Sequence, residues 1–470
     1  MLPIIDLSTV CIRQGLDGDI NPFDACAYEA ALQIKGAEVT VISMGPLSTK
    51  DFLLRLTRLG AKKAILLSDK AFAGADTIAT AYALSLAVKK INPDLIFCGR
   101  QTLVGDTAQT GPMLSVYADM SLITNVMSIN EIGETITCTT RDMGVETVPL
   151  PALITVERIN TLRLPSIISK MGEVEVWSAE DIGADVNKCG LSGSPTRVVK
   201  TFENESGKRK CKFITANELP QIISEALKKP NEDIVKTQLS SQKLSKVFIV
   251  GEGPKSFAET VSDDITILPL TNAEDLAQKI IELKPNAVLW GSDSLSKKVS
   301  AQIGAILGVG LCADCTLLET DGEKLYMYRP ALSGSVIAKI ISNTKPAMAT
   351  VRTTQNAADV VVAAGYGVKD CLDLVKAFAD KIGADMATTR KAVDNDILPY
   401  NLQVGLTGKT VSPPVYIAIG VSGAVHHIAG IQKSGTIIAI NPDKDAPIFD
   451  YADYGILSNN IEEFLKNFQY

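Results

Sequence analysis

Apolar and polar positions alternate with two different periods along the first hundred residues. Short runs of β-branched residues and leucine, typical of buried strands, alternate with longer segments whose apolar residues recur at helical spacing. The first of these longer segments begins at Asn21, has Pro22 in its first turn and stops at Gly36, features that favour a helix. The pattern predicts helices at 21–36, 49–60 and 74–90, and strands at 38–43, 63–68 and 94–99. This order favours a parallel sheet covered by helices.

The same alternation returns in the second half of the chain. Between the halves, the segments 203–212 and 228–246 are polar and rich in lysine, and we interpret 228–246 as a linker. An amphipathic helix at 217–229 lies between them and is expected to dock on another surface. The second half predicts strands at 247–253, 286–292, 359–365, 415–421 and 436–441, and helices at 296–307, 370–383 and from about Gly423.

Two segments of the chain resemble each other. Residues 93–120 and 285–311 each have a proline, an apolar strand, a glycine exit and then a helix with Ala-Gln-x-Gly, at 108–111 and 301–304. The repeated order predicts two related α/β units in one chain. A chance similarity between two strand-loop-helix units is the alternative.

Composition and charge narrow the class of protein. A chain of 470 residues that is 46% hydrophobic and 21% charged has the length of about three globular domains. Its net charge of −7 argues against nucleic acid or an anionic membrane as a general partner. The start of the chain lacks the pattern of a signal peptide, and the chain offers no run of roughly 20 apolar residues that could span a membrane. We therefore predict a cytoplasmic protein without membrane insertion.

The cysteines and histidines argue against a metal site. Several of the nine cysteines lie inside apolar runs, which favours a reducing compartment and buried thiols. Cys312 and Cys315 form one CxxC, but a structural zinc site usually needs a second pair of ligands. The chain has only two histidines, His426 and His427. We therefore predict no metal and ordinary packing for the CxxC.

Two loops have the composition of a ligand site. In an open parallel sheet, ligands bind beyond the carboxyl ends of the strands. The loop 99-GRQTLVGDTAQTG-111 follows a strand and enters a helix, so its backbone N–H groups are candidates to hold a phosphate, with Arg100 adding charge. It matches neither GxGxxG nor a P-loop, and a merely capped helix is the alternative.

The second candidate site lies near the end of the chain. The glycine-bearing or polar strand exits in 401–410, 415–427 and 436–457 fall within about 60 residues and are expected to line one crevice, long enough for a dinucleotide. His426 and His427 lie within this site. Adjacent helical residues point about 100° apart, so at most one of these two side chains faces a ligand. The alternative is that both are surface or cap residues.

At these motifs the chain resembles the electron transfer flavoproteins, which are heterodimers of an α and a β subunit. Residues 1 to about 235 resemble the β subunit in NPFDACAYEAAL, VTVISMGP, GRQTLVGDTAQTGP, VPLPALITVERIN and GLSGSPTRVVK. Residues 246–470 resemble an α subunit with a shortened first domain, in GVGLCADCTLLE, YRPALSGSVIAKI, PAMATVR, QVGLTGK, IGVSGAVHH and AINPDKDAPIFDYADYGIL. We interpret the chain as a β–α fusion, a heterodimer-like pair within one chain.

The resemblance implies a fold and a set of boundaries. The expected fold is α/β, with two related doubly wound parallel-sheet domains of the adenine-nucleotide α-hydrolase-like type and a C-terminal α/β domain that binds FAD. The expected divisions are a β-like domain with its C-terminal arm at 1–227, the linker at 228–246, the shortened α-subunit domain at 247–352 and the FAD domain at 353–470.

The resemblance also implies an FAD held mainly by the last domain. His427 matches the family's histidine near the pyrimidine edge of the flavin, where a donor or positive charge stabilises negative charge, and Arg390 matches the arginine placed against the isoalloxazine. Four positions depart from the family pattern: His426 and Leu406 replace glutamines, Tyr366 replaces an arginine and Asn459 replaces an aspartate. The implied FAD contacts are Thr389, Arg390, Gln403, Val404, Gly405, Leu406, Thr407, Ser422, Gly423, Ala424, Val425, His426, His427, Asn441, Asn459 and Asn460.

For the β-like half, the resemblance leaves two ligands open. Family members hold there either AMP, as a structural ligand, or a second FAD, which belongs to members that bifurcate electrons from NADH. The segment 74–82 and the GRQ and GDTAQ motifs are more similar to the bifurcating branch. The implied contacts are Asn21, Pro22, Phe23, Asp24, Met44, Asp76, Thr77, Thr80, Gly99, Arg100, Gln101, Gly105, Asp106, Thr107, Ala108, Gln109 and Thr110.

The function that the resemblance implies is electron transfer. Electrons would pass from NADH or an acyl-CoA dehydrogenase-type flavoenzyme, as in fatty acid β-oxidation, to ferredoxin or a quinone oxidoreductase. The last domain is expected to swing on hinges near 352–357 and in the join at 228–246. No residue needs to act as nucleophile or general base. The competing class is an AMP-binding regulatory or scaffold protein of the same fold.

Overall fold

The computed structural model describes residues 8–13, 20–102, 105–203, 208–228, 242–334, 336–352, 358–405 and 408–468. Most of the predicted linker and most of the predicted hinge near 352–357 lie outside these residues. The chain divides into two compact units: the first is drawn from 1–202, 239–332 and 337–351, and the second from 203–238, 333–336 and 352–470. Within the described ranges, no helix is long and apolar enough to cross a membrane.

The N-terminal part of the first unit is built on a nine-stranded sheet. Its strands are β1 (Ser8–Arg13), β2 (Glu38–Met44), β3 (Lys63–Leu67), β4 (Leu95–Gly99), β5 (Ser121–Ile132), β6 (Thr135–Thr140), β7 (Val145–Pro149), β8 (Ala152–Val156) and β9 (Glu173–Trp177). The helices are α1 (Pro22–Leu32), α2 (Lys50–Thr57), α3 (Thr77–Ile91) and α4 (Thr110–Ala118). The strand order is β7-β6-β5-β8-β4-β1-β2-β3-β9. Pairing is parallel except between β5 and β6 and between β6 and β7.

The continuous apolar runs correspond to strands that are covered on both faces. All five residues of β4 and all five of β8 are buried, as expected for central parallel strands. Helix α1 begins at the predicted Pro22 but ends at Leu32, before Gly36. The predicted helices and strands of this part are therefore confirmed, with boundaries that differ by a few residues.

A strand and a helix from the middle of the chain belong to the second unit. They are β11 (Lys212–Phe213) and α5 (Leu219–Lys228). Strand β10 (Thr196–Glu203) precedes them along the chain and, up to Phe202, belongs to the first unit. Strand β11 and helix α5 form an arm. The buried Leu219, Ile223 and Ala226 of α5 pack in the core of the second unit, which confirms that this amphipathic helix docks.

The rest of the first unit contains a second parallel sheet. The strands are β12 (Val247–Val250), β13 (Ile265–Leu268), β14 (Ala287–Trp290), β15 (Leu311–Cys315), β16 (Leu317–Thr320), β17 (Leu325–Ala331), β18 (Val336–Ser342) and β19 (Ala347–Val351). The helices are α6 (Lys255–Val261), α7 (Ala273–Leu283) and α8 (Ser294–Leu307). Five strands form the sheet in the order β13-β12-β14-β19-β15, and all its pairs are parallel.

The same order of neighbours occurs in both sheets of the first unit. In the first sheet it is β5-β8-β4-β1-β2, and in the second β15-β19-β14-β12-β13. A local detail repeats as well. Asn125 and Asp314 have positive φ values of 58° and 56°. Their backbone N–H groups donate to Thr155 Oγ1 at 3.0 Å and to Thr350 Oγ1 at 2.8 Å, respectively.

The second unit contains a six-stranded parallel sheet. Its strands are β11 and β20 (Val360–Ala364), β21 (Asp385–Thr388), β22 (Val415–Ile419), β23 (Thr436–Asn441) and β24 (Tyr454–Leu457), and its helices are α5 and α9 (Leu372–Lys381), α10 (Arg390–Asp394), α11 (Val425–Ile428) and α12 (Ile461–Asn467). The order is β11-β24-β23-β22-β20-β21. Because all pairs are parallel, the carboxyl ends of these strands meet at one edge.

Two parts of the fold differ from the prediction of parallel sheets alone. Strands β5, β6 and β7 form antiparallel pairs, and β10, β18, β17 and β16 form a separate four-stranded sheet in which β16 and β17 are antiparallel. The physical reason lies in burial: in β6 and β7, better-buried and more exposed positions alternate. A hairpin with one solvated face suits this pattern.

Candidate cofactor sites

The loop after β4 packs tightly against the start of α1. The backbone N–H of Gly99 donates to Asp24 Oδ1 at 2.9 Å. A Cβ atom at Gly99 would lie 2.5 Å from Asp24 Oδ1 and 2.6 Å from Phe23 Cβ, so the position requires glycine. Asn21 Nδ2 donates to the carbonyl of Gln101 at 2.8 Å. The structure therefore brings together these two predicted segments.

Arg100 is turned towards an acidic side chain. Its Nη1 lies 2.6 Å from Oε1 of Glu157, whose carboxylate is fully buried and also faces Arg141 at 3.8 Å. A buried carboxylate without cationic partners would be costly. Arg100 was expected to hold a phosphate with its positive charge. At least part of that charge instead balances the negative charge of Glu157.

The next part of the loop is a chain of side-chain contacts. Gln101 Nε2 donates to the carboxylate of Asp106. Thr77 Oγ1 donates to Gln109 Oε1 at 2.9 Å, and Gln109 Nε2 donates to the carbonyl of Leu311 at 3.3 Å. These contacts fix the loop and the start of α3 relative to β15, and they engage several of the polar atoms predicted for the ligand.

Asp76 caps a helix. Its Oδ1 accepts from the backbone N–H groups of Ile78 and Ala79 at 3.0 and 3.1 Å. Its Oδ2 accepts from the backbone and the hydroxyl of Thr196 at 2.9 and 2.7 Å. Four donors stabilise the charged carboxylate, so Asp76 shapes the site chiefly by holding α3 and the strand β10 together.

A small cavity of about 240 Å³ lies at this point. Seven of the predicted residues line it, together with residues of β10, β15, β17 and β18. The predicted ones are Asp76, Thr77, Thr80, Gly105, Thr107, Gln109 and Thr110. We call it the smaller cavity.

Arg329 is a wall residue of the smaller cavity that the sequence reasoning missed. It is 6% exposed, and its Nη2 donates to the carbonyl of Asp106 at 3.0 Å. Within the described residues, its Nε has no hydrogen-bond acceptor. A buried guanidinium N–H without an acceptor is costly, so the arrangement suits a ligand with an acceptor atom. Two signals in the sequence could have found it: a charged residue inside the run 325–331, and its place in the motif YRPALSGSVIAKI.

A larger cavity of about 940 Å³ adjoins the smaller one. The two share Ala75, Thr80 and Thr110 as wall residues. Met44, at the end of β2, also lines the larger cavity as predicted for the site. The sequence reasoning also predicted Thr80 and Thr110 of this wall and missed Gly45–Leu47, Ser68–Lys70, Phe72–Ala75 and Leu84. The larger cavity thus lies beyond the carboxyl ends of β2 and β3, where parallel sheets bind ligands.

In the second unit, His427 is held by two hydrogen bonds. Its Nδ1 lies 3.1 Å from the carbonyl oxygen of Val404, and its Nε2 lies 3.0 Å from the hydroxyl of Tyr416. The carbonyl can only accept, so Nδ1 carries the proton and Nε2 accepts from Tyr416. Burial lowers the pKa of His427 to about 4, which makes the ring neutral near pH 7. His426, by contrast, is half-buried.

The loop that begins at Gln403 packs on the backbone of the two histidines. Val404 N–H donates to Thr388 O at 2.9 Å, which ties the loop to the end of β21. A Cβ atom at Gly405, where φ is 142°, would lie 2.7 Å from His426 O. Leu406 and Thr407 lie outside the described residues.

Arg390 follows β21 at the same edge. Thr389 precedes α10 as its N-terminal cap position, and Arg390 Nε lies 3.1 Å from Asp394 Oδ2 one turn later. The Arg390 side chain is 18% exposed. This placement is compatible with a guanidinium beside a cofactor, a role that stays a prediction.

The side-chain amide of Asn441 joins the exits of β22 and β23. Asn441 Nδ2 donates to Val421 O at 2.8 Å, and its Oδ1 accepts from Asp443 N–H at 2.9 Å. A Cβ atom at Gly423, where φ is 89°, would lie only 2.1 Å from Ile448 N. Asn441 therefore holds the loop conformation with its amide, and Gly423 is required for packing. Ser422, Ala424 and Val425 beside them are exposed.

The last two predicted residues lie at the exit of β24. Asn459 and Asn460 line a cavity of about 880 Å³ with residues of the arm and of α12. Asn460 Oδ1 accepts from Glu463 N–H at 3.1 Å, so this side chain caps α12. Asn459 is exposed and available to a ligand.

The hydrogen-bond donors at the carboxyl edge of the second unit's sheet suit an anionic dinucleotide. A guanidinium, an exposed hydroxyl and an amide occur at the carboxyl ends of strands of one parallel sheet, and tightly packed glycines shape the loops that follow these strands. Such strand exits at the carboxyl edge of a parallel sheet are typical of α/β proteins that bind nucleotide cofactors.

The comparisons with known proteins identify the family. A model described as the electron transfer flavoprotein domain matches residues 8–182 and 261–377, and one described as the electron transfer flavoprotein FAD-binding domain matches 355–432. The second match supports FAD as a cofactor. The chain belongs to the electron transfer flavoprotein family.

Curated relatives represent both subunits of that family. Protein FixA of Azorhizobium caulinodans is 40% identical over 232 residues, covering 45% of this chain and 83% of the relative. The electron transfer flavoprotein subunit beta of Clostridium acetobutylicum is 40% identical over 205 residues, covering 41% and 79%. The subunit alpha of Thermoanaerobacterium thermosaccharolyticum is 33% identical over 234 residues, covering 40% and 71%. This chain thus combines β-like and α-like sequence in one polypeptide.

Proposed function

We propose that this chain is a single-polypeptide electron carrier with one FAD in the C-terminal unit and a second nucleotide in the N-terminal part of the first unit. The observation that carries the second site is Arg329, which lines the smaller cavity and whose buried Nε has no protein acceptor among the described residues. When bound, flavin supplies the capacity to accept and release electrons. The protein residues bind, orient and tune it.

We favour a second FAD over AMP as the N-terminal ligand. The smaller cavity, about 240 Å³, opens beside the larger one, about 940 Å³. Ligand sites for small molecules and cofactors typically measure about 300–1,000 Å³. The larger space beyond β2 and β3 therefore supports a ligand larger than one mononucleotide, and AMP remains the alternative occupant.

Each group of residues would have a distinct role in holding these cofactors. In the first unit, Arg329 would donate from Nε to a ligand acceptor, while Asp76 and Gln109 hold the walls. In the second unit, Arg390 and the exposed Asn459 would face the FAD. The neutral His427 would support the loop at Val404, so that the loop keeps its shape when the flavin charge changes.

A surface loop in the first unit has the properties of a partner-docking element. In the segment 164–171, Leu164 is 89% exposed, Ile167 98% and Ile168 89%. Adjacent exposed apolar side chains in a soluble protein mark an interaction site. We propose that this loop inserts into an apolar pocket of a dehydrogenase-type flavoenzyme. Docking would bring the flavin of that enzyme within tunnelling distance of a flavin held by this chain.

The loop is anchored at both ends. Arg163 donates from Nε to Glu29 Oε2 at 2.9 Å and from Nη2 to Oε1 at 2.8 Å, and its backbone N–H donates to Oε2 at 3.1 Å. At the other end, Gly172 N–H donates to Thr57 Oγ1 at 2.8 Å. Fixed ends lower the entropy that docking would cost, which supports a role in recognition.

Reduction by defined donors tests the electron-carrier function. FAD-loaded protein would be mixed anaerobically with NADH, or with an acyl-CoA dehydrogenase reduced by its acyl-CoA substrate, and flavin absorption near 450 nm would be followed. We expect bleaching with one of these donors. If dithionite bleaches the flavin but neither NADH nor the reduced acyl-CoA dehydrogenase does, the result contradicts the proposed function. It would then favour the AMP-binding regulatory or scaffold protein.

A further inference from the structure

Cys312 and Cys315 lie on β15 in the wall region of the smaller cavity. We propose that these two thiols form a redox-active pair that a peroxide oxidises to an intramolecular disulfide. Neither the family matches nor the proposed electron transfer assigns a role to this pair. The inference rests on the cavity and the strand geometry, and it does not require flavin chemistry.

An irregularity in β15 places the two cysteines on one face of the sheet. Asp314 has a φ of 56°, and the pairing with β19 shifts so that Cys312 is opposite Ala349 and Cys315 is opposite Val351. Residues i and i+3 of a regular strand face opposite sides. The extra residue of the bulge returns Cys315 to the face of the sheet that Cys312 occupies. Both cysteines belong to one hydrophobic cluster.

The register of β15 against β19 brings the two cysteines close together. Cys315 Sγ lies 3.7 Å from the carbonyl oxygen of Cys312. Their partners on β19 are two residues apart, which corresponds to about 6.6 Å at a rise of about 3.3 Å per residue. Disulfides span Cα separations of about 4.4–6.8 Å, so small movements suffice.

Access to the pair is asymmetric. Cys312 lines the smaller cavity beside Gln109 and Arg329, whereas Cys315 is absent from that wall and completely buried. Burial also holds the pKa of the Cys315 thiol well above its usual range. Cys312 is therefore the thiol that meets the oxidant, and Cys315 is the thiol that resolves the product.

The reaction balances with a peroxide as the only co-reactant. The Cys312 thiolate attacks one oxygen of hydrogen peroxide, the O–O bond breaks, and Cys312 becomes a sulfenic acid while one water leaves. The Cys315 sulfur then attacks the Cys312 sulfur, the S–O bond breaks, and the second water leaves with the Cys315 proton. Two thiols and one peroxide give one disulfide and two waters, so two electrons pass from sulfur to oxygen.

Mass spectrometry of the full-length chain tests the proposal. The protein, freed of nucleotide, would be treated with hydrogen peroxide, its remaining thiols alkylated, and the product digested with trypsin. The tryptic peptide 299–324 contains Cys312 and Cys315 and no other cysteine. We expect this peptide to lose two hydrogens before the half-buried Cys211 and Cys371 lose their capacity for alkylation.

Two variants assign the roles. Cys315→Ser should stop the reaction at the sulfenic acid of Cys312, which dimedone traps. Cys371→Ser is the matched control and should leave disulfide formation unchanged. Thermal unfolding of each variant shows that it is folded. If the pair stays fully alkylatable in folded protein while Cys211 and Cys371 oxidise, the proposal is overturned.

Nucleotide protection tests the position of Cys312 in the cavity wall. At AMP or FAD concentrations about 100 times the Kd, only about 1% of the N-terminal sites stay empty, so oxidation through the open cavity should slow about 100-fold. Calorimetry first verifies that the nucleotide binds. If Cys312 is then oxidised at the same rate with and without the bound nucleotide, access through the cavity is contradicted. Failure of nucleotide binding itself would instead contradict the proposed second site, which separates the two claims.

Discussion

The hydroxyl of Tyr416 lies 3.0 Å from Nε2 of His427, and the other ring nitrogen lies 3.1 Å from the carbonyl oxygen of Val404. Both nitrogens of the imidazole are thus engaged inside the second unit. The family resemblance implies a donor or positive charge near the flavin at His427. In the described arrangement the ring is neutral, so that role would require the ring to give up one of its two hydrogen bonds.

The first prediction concerns the pH dependence of stability. The pKa of His427 is about 4 in the folded protein and about 6.5 in the unfolded chain, so the unfolded chain binds the proton more strongly. The free energy of unfolding should therefore fall as pH drops from about 6.5 towards 4, by about 3 kcal/mol from this group. Above about pH 6.5 it should contribute no slope.

Urea denaturation at pH 7 and pH 5 measures this effect. His427→Gln, which cannot titrate, should be less stable at pH 7 but should lose less stability between the two pH values than the parent. Since the chain has only two histidines, the imidazole ¹⁵N spectrum assigns the state directly. A protonated His427 at pH 6 in folded protein would contradict the predicted pKa and its cause.

The second prediction contrasts two glycines. Gly423→Ala would add a Cβ atom 2.1 Å from Ile448 N at a φ of 89°, whereas Gly133→Ala meets nothing within 4 Å. We expect Gly423→Ala to lose more than about 1 kcal/mol of stability and to retain less FAD after gel filtration. Gly133→Ala should change both values little. Equal effects of the two substitutions would show that the loop can adjust at Gly423.

The third prediction concerns the second nucleotide site. Arg329→Gln removes the buried Nε donor of the smaller cavity. Hydrogen bonds to charged groups contribute about 1.5–3 kcal/mol, so binding of AMP or FAD to the N-terminal site should weaken about 10-fold or more. Isothermal titration would measure this. Arg197→Gln, at an exposed arginine of the same unit, is the control. Similar nucleotide affinities of the two variants would show that Arg329 does not contact the ligand.

The fourth prediction addresses the docking loop. The double change Ile167→Ser and Ile168→Ser should lower the second-order rate of flavin reduction by a reduced acyl-CoA dehydrogenase at least about 10-fold, because it removes the apolar contact. FAD content and reduction by dithionite should not change. Val145→Ser, at a valine that is 63% exposed, is the control. An unchanged rate in the loop variant would place docking elsewhere.

Much of the fold follows from local patterns, but the contacts at the sites do not. The buried strands β4 and β8 produce apolar runs that are visible in the sequence, and Pro22 marks the start of α1. The antiparallel hairpin of β6 and β7 has Thr-rich strands with only partial burial, which gives a weak pattern. The contact of Arg329 with Asp106 joins residues 223 positions apart, and no periodicity reports such a distance.

The same limit applies to the predicted roles of individual side chains. Motif matching predicted Arg100 and Asp76 as contacts of the nucleotide. Asp76 lines the smaller cavity, whereas Arg100 is not among its described wall residues. Their charges, however, are balanced by Glu157 and by the donors of Ile78, Ala79 and Thr196. Sequence resemblance predicts which residues surround a ligand, while the hydrogen bonds decide which of them are available to it.

The flavin-to-chain ratio tests the central claim most directly. Purified protein would be incubated with excess FAD, freed of unbound cofactor and denatured, and the released flavin would be measured by absorbance and AMP by chromatography. We predict close to two FAD per chain for the parent and close to one for Arg329→Gln. Parent protein that releases no FAD would contradict the electron-carrier account, and one FAD with one AMP would contradict the second flavin.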